Sequence, residues 1–294
     1  MSRKELILMR KDKQTLNALT IDLEDWYQGL TSTSRQVNRW PGFEDRVVEA
    51  TGQLLTVLDR AEVKATFFVL GYVADQFPGL VRVVADAGHE VGLHGYYHRQ
   101  VSRQSPEQFR ADVLQGLQAV EAASQQRVRG YRAPMFSING SALWALEMLY
   151  DLGFQYDSSV FPTRNMLYGF PGAPRFPYHP LDNRDFVEFP LSTVRALGVN
   201  WPLAGGFYLR LLPYPLFRKG LEQLNRNGRP AVIYLHPWEL DPGHPRPNPT
   251  VRERFTHYSN LGGTAEKLRN LLRDFRFGPL CTLLEEITAS EGFD

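Results

Sequence analysis

The sequence is short of cysteine and of excess charge of either sign. Its 294 residues include one cysteine, Cys281, and 33 Lys+Arg against 32 Asp+Glu, which gives a formal net charge of +1. A lone cysteine cannot form an intrachain disulfide or a thiolate-based zinc site, so any bound metal must be held mainly by His, Asp or Glu. The near-neutral balance argues against nucleic acid or an anionic membrane as a partner.

Long apolar runs are also missing. The run at residues 6–9 is too short for the core of a signal peptide. The longest other run, residues 65–74, falls well short of a bilayer span. We therefore expect no membrane span and a cytoplasmic location. Hydrophobic residues make up 43% of the chain, which is typical of a globular protein and excludes a disordered one.

Short apolar runs alternate with helical patterns along the chain. The pattern predicts strands over residues 16–21, 65–70, 89–94, 128–132 and 231–235. It predicts helices over residues 45–60, 80–87, 106–123, 139–152, 216–227 and 264–275. This order indicates a mostly parallel sheet or barrel with helices outside it. Residues 161–215 are rich in Pro, Gly and aromatic residues, and we expect a folded excursion over the barrel mouth.

Three acidic residues, Asp22, Glu24 and Asp25, lie at the end of the first predicted strand. Because strand side chains alternate between faces, Asp22 and Glu24 are expected to share one face. Barrels place their active sites at the carboxyl ends of strands, and neighbouring acids repel one another unless a cation or a proton is shared. The alternative is a polar turn in which Asp25 caps a helix.

Two histidines, His94 and His98, lie four residues apart at the end of another predicted strand. On one helical turn both imidazoles would point the same way, as metal ligands must. With one carboxylate of the acidic group they would form an open three-ligand site, the pattern of a catalytic metal. The alternative is a pair of surface histidines, because His-x-x-x-His alone is a weak signal.

Two further strand ends each carry one functional candidate. Arg132 would need an acidic partner if it is buried, and Asp22 is the natural one. His236 could donate a proton to a leaving amine near neutral pH. The alternatives are an arginine that packs against Phe136 or reaches solvent, and a histidine held by backbone groups at the core edge.

These segments together resemble the polysaccharide deacetylase (NodB-homology) family, the family-four carbohydrate esterases. The family's Thr-Phe-Asp-Asp, His-Ser/Thr-x-x-His, Arg-x-Pro-aromatic and Leu-x-His motifs are similar, in the same order, to residues 20–25, 94–98, 132–136 and 235–236. The resemblance implies an α/β fold, a distorted (β/α)7-type barrel with a loop-rich C-terminal extension. It also implies a single domain over residues 1–294, with residues 161–215 and 241–294 as extension segments.

The resemblance implies catalytic roles for four residues. Asp22 would be the base, oriented by Arg132, and His236 would be the acid. Asp157, in a segment similar to the family's Asp-Ser/Ala segment, would orient His236.

The resemblance also implies a divalent metal, zinc, held by His94 and His98. The family's second aspartate is its acidic ligand, but here two residues separate Asp22 from Asp25, so that ligand is either Glu24 or Asp25. Gly95 stands where the family has Ser or Thr.

A narrower resemblance covers residues 205–214, 234–239 and 254–261, which are similar to the deacetylases of exosortase-associated exopolysaccharide loci. It implies removal of N-acetyl groups from N-acetylhexosamine units in bacterial exopolysaccharide biosynthesis, with an acetylated glycan as the partner. The near-neutral charge suits a neutral glycan. The side chains expected to contact this glycan are Trp26, Tyr97, Pro134 and Trp238. Excursion aromatics could stack on sugar rings or pack the excursion onto the barrel: Trp201, Phe207, Tyr208 and Tyr214.

Two other functions compete with deacetylation. Hydrolases of cyclic amides, related to allantoinases and imidases, share this barrel, and the presence of both His94 and His98 favours its metal-dependent branch. A non-catalytic glycan-binding protein on the same scaffold would lack a ligand or the base, whereas a candidate for each is present here. The sequence leaves open the metal, the glycan and the oligomeric state, a homo-oligomer included.

Overall fold

The computed structural model describes residues 15–164, 169–182 and 185–291, so the apolar run at residues 6–9 lies outside the described residues. The strands are Asn17–Leu23 (β1), Thr66–Val69 (β2), Glu90–Leu93 (β3), Gly130–Tyr131 (β4), Tyr156–Asp157 (β5), Val187–Glu188 (β6), Thr193–Ala196 (β7), Val199–Pro202 (β8), Val232–Leu235 (β9) and Phe277–Gly278 (β10). The α-helices are Trp26–Gly29 (α1), Val47–Arg60 (α2), Gly71–Gln76 (α3), Pro78–Asp86 (α4), Pro106–Ser124 (α5), Trp144–Asp151 (α6), Gly206–Leu211 (α7), Tyr214–Arg226 (α8), Val251–Thr256 (α9), Thr264–Asp274 (α10) and Leu280–Glu291 (α11).

A parallel sheet of eight strands forms the centre of the fold, in the order β10-β1-β2-β3-β4-β5-β6, with β9 also paired to β1. Ile21 of β1 lies opposite Phe67 of β2 and Leu235 of β9, so the carboxyl ends of these strands meet at one edge. Beyond β6, the N–H of Ser192 donates to the carbonyl of Val232 at 3.3 Å, which carries the chain back towards β9. The sheet curls into a half-barrel surrounded by helices, and the predicted fold class is confirmed.

The central strand β1 is buried along its whole length, as expected when helices cover both faces of a parallel sheet. The predicted start of the helix at residue 106 is confirmed: Ser105 caps α5, its side chain accepts the N–H of Gln108, and Pro106 occupies the first turn. Helix α2 buries Leu54 and Leu58, in line with the apolar spacing of its sequence. No helix of the described residues is long and apolar enough to cross a membrane.

The excursion and the C-terminal segment are more ordered than a loop-rich interpretation predicts. Strands β7 and β8 form an antiparallel hairpin whose turn residues, Leu197 and Gly198, both have positive φ, the backbone that a two-residue hairpin turn favours. Helices α9, α10 and α11 fill much of the C-terminal segment. Thr250 caps α9 in a reciprocal arrangement with Glu253, the same type of cap that Ser105 and Gln108 form at α5.

Candidate active site and metal centre

The three acidic residues at the end of β1 point in two different directions. Asp22 and Glu24 are both buried and point to the same edge of the sheet, where each approaches His236. Asp25 turns away from them. Its carboxylate caps α1 by accepting the N–H of Trp26 at 2.7 Å, and it also accepts the N–H groups of Arg46 and Val47.

Asp25 therefore does not join the histidines, and Glu24 is the acid that does. Burial raises the pKa of Asp25 to about 7, against the lowering effect of its three N–H donors, and these donors already occupy both of its carboxyl oxygens. Of the two acids that the sequence left open, the structure brings only Glu24 next to both histidines. For Asp25 the alternative stated from the sequence is correct: this residue lies in a polar turn and caps a helix.

The segment from His94 to His98 is not the helical turn that the sequence predicted. It is an irregular loop after β3, in which Gly95 and His98 have φ of +70° and +54°. A Cβ on Gly95 would lie 3.0 Å from a carboxylate oxygen of Asp112, so both the backbone and the space favour glycine. Asp112, which the sequence analysis missed, fixes the loop by accepting the N–H of Tyr96 at 2.8 Å.

Glu24, His94 and His98 form a group whose potential ligand atoms all lie within 4.8 Å of one another. Glu24 Oε2 is 2.9 Å from His98 Nε2 and 4.0 Å from His94 Nε2. The carbonyl of Arg132 lies 2.8 Å from His94 Nδ1, which leaves His94 Nε2 facing the group. A buried carboxylate and two imidazoles with free ligand atoms fit a divalent metal.

The protonation states favour the same interpretation. Burial raises the pKa of Glu24, but His98, His236 and His94 outweigh it and hold this pKa at about 2. Burial lowers the pKa of His94 to about 4. Glu24 is therefore a carboxylate and His94 a neutral imidazole near neutral pH, which are the forms that bind metal ions.

Arg132 holds Asp22 in place beside this group. The guanidinium is fully buried and donates from Nη1 to Asp22 Oδ1 at 2.8 Å and to the Thr20 hydroxyl at 2.7 Å. Its Nε donates to the carbonyl of Ser158. The predicted pairing of Arg132 with Asp22 is confirmed, and it fixes one oxygen of Asp22 while the other, Oδ2, lies 4.0 Å from His236 Nε2.

His236 is oriented by Glu239. Glu239 Oε1 lies 2.8 Å from His236 Nδ1, and Glu239 Oε2 accepts from Nε of the buried Arg210 at 2.7 Å. Burial lowers the pKa of His236, but the hydrogen bond to Glu239 and the charges of Glu24, Glu239 and Asp22 raise it above its usual value. The imidazolium can therefore present a proton on Nε2, 3.6 Å from Glu24 Oε1.

The assignment of Asp157 as the residue that orients His236 is wrong. Its carboxylate accepts from the Ser159 hydroxyl at 2.6 Å and from the Ser159 N–H at 3.1 Å, and Ser159 Oγ accepts from Ala133 N. Burial raises the pKa of Asp157 and of the neighbouring Glu188. Asp157 therefore supports the loop after Arg132. Glu239 and Arg210 were missed, although the spacing of His236 and Glu239 is that of a helix cap.

A cavity of about 330 Å³ opens at this edge of the sheet, and its lining includes Asp22, Glu24, His94, His98, Phe207, Tyr208, Arg210, His236 and Trp238. Trp238 stacks on His236 with 4.8 Å between ring centroids and on His257 with 3.8 Å. Tyr97 lines an adjoining groove instead.

Two of the four predicted glycan contacts lie inside the protein. Trp26 is buried and donates from Nε1 to the carbonyl of Glu44 at 2.9 Å, and Pro134 is buried beside Gly95. Neither of them lines the cavity, which corrects these two predictions. Of the excursion aromatics, Trp201 is 55% exposed on the hairpin, and Tyr214 donates to Asp274.

The two tryptophans can be compared by the same substitution. Trp26→Phe removes the donor to Glu44, and we expect unfolding in urea to become easier by about 1–3 kcal/mol with KM unchanged. Trp238→Phe reduces the ring that stacks on His236, and we expect kcat/KM to fall about three- to tenfold. If Trp26→Phe instead raised KM and Trp238→Phe left kcat/KM unchanged, the substrate would contact Trp26 and not Trp238.

A curled parallel sheet that gathers two carboxylates and three histidines at its carboxyl edge is an arrangement typical of α/β-barrel hydrolases. Residues 40–156 match the model of the polysaccharide deacetylase family, and residues 158–285 match a domain of unknown function (DUF3473). Residues 40–156 are thus similar to the polysaccharide deacetylase family, and the resemblance stated from the motifs is confirmed for this family.

Individual relatives agree with this assignment. A peptidoglycan deacetylase-like protein of Gibberella zeae is 32% identical over 126 residues, 41% of this chain and 36% of the relative. A chitooligosaccharide deacetylase of Bradyrhizobium is 42% identical over 86 residues, 29% of this chain and 39% of the relative. These matches therefore span little more than a third of the relatives' length. The crystal structure of a Mycobacterium smegmatis protein described as a polysaccharide deacetylase shares the fold, with a TM-score of 0.64 and 21% identity over 95% of this chain and 93% of that one.

Proposed function

We propose that this protein is a metal-dependent hydrolase that removes N-acetyl groups from N-acetylhexosamine units of a polysaccharide or its precursor. One observation carries the proposal: Asp22, fixed by Arg132, and His236, fixed by Glu239, meet within 4.0 Å beside Glu24, His94 and His98. Amide hydrolysis needs a base, an acid and a charge-stabilising group at one place, and this edge of the sheet has a candidate for each.

The residues divide the reaction between them. A zinc or similar divalent ion held by Glu24, His94 and His98 would polarise the acetyl carbonyl and make water more acidic. Asp22 accepts a proton from the attacking water, and the hydrogen bond from Arg132 keeps its carboxylate oriented. His236 donates the proton on Nε2 to the amine nitrogen as the C–N bond breaks, and Glu239 stabilises the imidazolium before that step. The products are acetate and a free amine.

The substrate class rests on the relatives and on the second half of the chain. The relatives named above are a peptidoglycan deacetylase-like protein and a chitooligosaccharide deacetylase, which favours an N-acetylated glycan. The similarity of residues 205–214, 234–239 and 254–261 to deacetylases of exopolysaccharide loci supports a role in bacterial exopolysaccharide biosynthesis.

Metal content and product formation test the proposal together. We expect the purified protein to bind about one divalent ion per chain and to release acetate from N-acetylglucosamine oligosaccharides, with activity lost to a chelator and restored by zinc. Ring opening of hydantoin-type cyclic amides without acetate release would assign the site to cyclic amide hydrolysis. If the protein instead binds the oligosaccharides tightly, but does not hydrolyse them and contains no stoichiometric metal, it is a glycan-binding protein.

A further inference from the structure

A second groove, of about 560 Å³, adjoins the cavity. The groove and the cavity share His98 and Met135 in their linings, so the two spaces are direct neighbours on the protein. One wall of the groove comes from the loop after α1, which includes Arg35, and the other from the loop after His98, which includes Arg99 and Arg103. The Arg35 guanidinium donates to Gln100 Oε1 at 3.3 Å, which links the two walls.

The groove carries positive charge without a matching negative charge. Arg35, Arg99 and Arg103 are all exposed, and the lining contains neither Asp nor Glu. The ion pairs found in the described parts of the chain involve other arginines, such as Arg46 and Arg226. Three cationic side chains that share one concave surface whose lining contains no carboxylate create a local field that the net charge of +1 does not reveal.

Two neighbouring residues, Tyr97 and Asp112, interact with the Arg99 side chain. The Arg99 guanidinium lies over the ring of Tyr97, 5.0 Å from its centroid, which holds the charge at the groove surface. Asp112 interacts electrostatically with Arg99, but this carboxylate is buried and accepts the N–H groups of Tyr96 and Tyr97. The outward-facing charge of the wall therefore stays available to a ligand.

We propose that this groove binds an anionic group, a carboxylate or a phosphate, on a part of the glycan next to the N-acetylated unit. The inference rests on the proposed function, because the cavity receives the acetylated sugar and the adjoining groove receives its neighbour along the chain. Guanidinium groups match the geometry of carboxylates and phosphates and bind both by charge-assisted hydrogen bonds. The substrate is then an acidic glycan, and not the neutral one that the overall composition suggests.

Paired substrates and paired variants test this substrate class. The metal-loaded protein and its double variant Arg99→Gln/Arg103→Gln would be assayed for acetate release from three oligosaccharides of equal length. One is neutral oligo-N-acetylglucosamine, one alternates N-acetylglucosamine with glucuronate, and one carries phosphate on the neighbouring unit. We expect the double variant to lose about tenfold in kcat/KM on the acidic substrates and less than twofold on the neutral one. The acidic substrate with the higher wild-type kcat/KM identifies the natural anion.

The double variant Arg218→Gln/Arg226→Gln is the matched control. It removes the same two charges from exposed positions on α8, where both arginines pair with Glu222 away from the groove. This control should keep the wild-type preference for acidic substrates. Equal losses on neutral and acidic substrates in the groove variant, or no loss at all, would overturn the proposal.

Calorimetric binding of the same oligosaccharides separates this proposal from the proposed function. If no substrate releases acetate, the deacetylase proposal fails. The groove proposal still stands if the wild-type protein binds the acidic oligosaccharides more tightly than the neutral one and the groove variant loses that difference. Wild-type affinities that are equal for acidic and neutral oligosaccharides would refute it. Added salt should weaken the acidic complexes selectively, since the contact is between exposed charges.

Discussion

Asp22→Asn is expected to lower kcat by about 10²- to 10⁴-fold while the metal content of the protein stays at the wild-type level. Asparagine keeps the size of the side chain and an oxygen for the Arg132 and Thr20 network, but it cannot accept a proton from water. The three candidate metal ligands are left intact, because Asp22 is not one of them. Acetate release under saturating substrate, together with metal analysis of the same preparation, gives both readouts.

His94→Ala supplies the contrast for this experiment. It removes a candidate ligand whose Nδ1 faces the Arg132 carbonyl, so both metal content and activity should fall together. The base assignment would be wrong if Asp22→Asn kept wild-type kcat. The ligand assignment would be wrong if Asp22→Asn lost the metal while His94→Ala retained it.

The sequence predicts those parts of the site that depend on local chain geometry. Alternation along a strand places Asp22 and Glu24 on one face, and a buried arginine needs an acid, which identifies the contact between Arg132 and Asp22. Parallel strands gather their carboxyl ends at one edge, and this brings His236 to the acids although more than 200 residues separate them.

The sequence does not predict which way a side chain turns after its strand ends. Asp25 follows β1 directly, yet the N–H groups of three residues draw its carboxylate away from the histidines. Two of these donors, Arg46 and Val47, come from a distant segment, so the competition for Asp25 depends on tertiary structure. The loop from His94 to His98 depends in the same way on Asp112, which lies on another element.

Three of the four two-residue strands were missed for a related reason. β5, β6 and β10 have two residues each, too few to show the alternation that identifies a strand. Their positions are set by pairing with neighbouring strands, such as Tyr156 with Gly130 and with Val187. The assignment of Asp157 therefore depends on the motif resemblance alone, whereas its position in the structure depends on the pairing of β5 and on the hydrogen bonds with Ser159.

Glu239→Gln is expected to lower kcat by about 10²-fold and also to destabilise the fold. Glutamine can no longer accept hydrogen bonds as a carboxylate from both His236 and Arg210, so the imidazole loses the group that orients it. Arg210 is buried and is left with the carbonyls of residues 256, 257 and 259 as its remaining partners. Removing one member of a buried ion pair costs about 3–5 kcal/mol, which urea unfolding can measure.

The pH profile of kcat distinguishes the orienting role of Glu239 from a purely structural one. In the wild-type protein Glu239 helps to raise the pKa of His236, and a general acid is active only while it is protonated. Without that carboxylate the pKa of His236 falls, so the fall of activity on the alkaline side should move to lower pH.

Glu90→Gln provides the matched control, because Glu90 accepts hydrogen bonds from Thr66 and Tyr156 at the opposite, amino-terminal end of β3. We expect it to change stability but neither kcat nor the alkaline limb. Should Glu239→Gln lose stability with an unshifted pH profile and wild-type kcat, Glu239 would hold the fold together without orienting the acid.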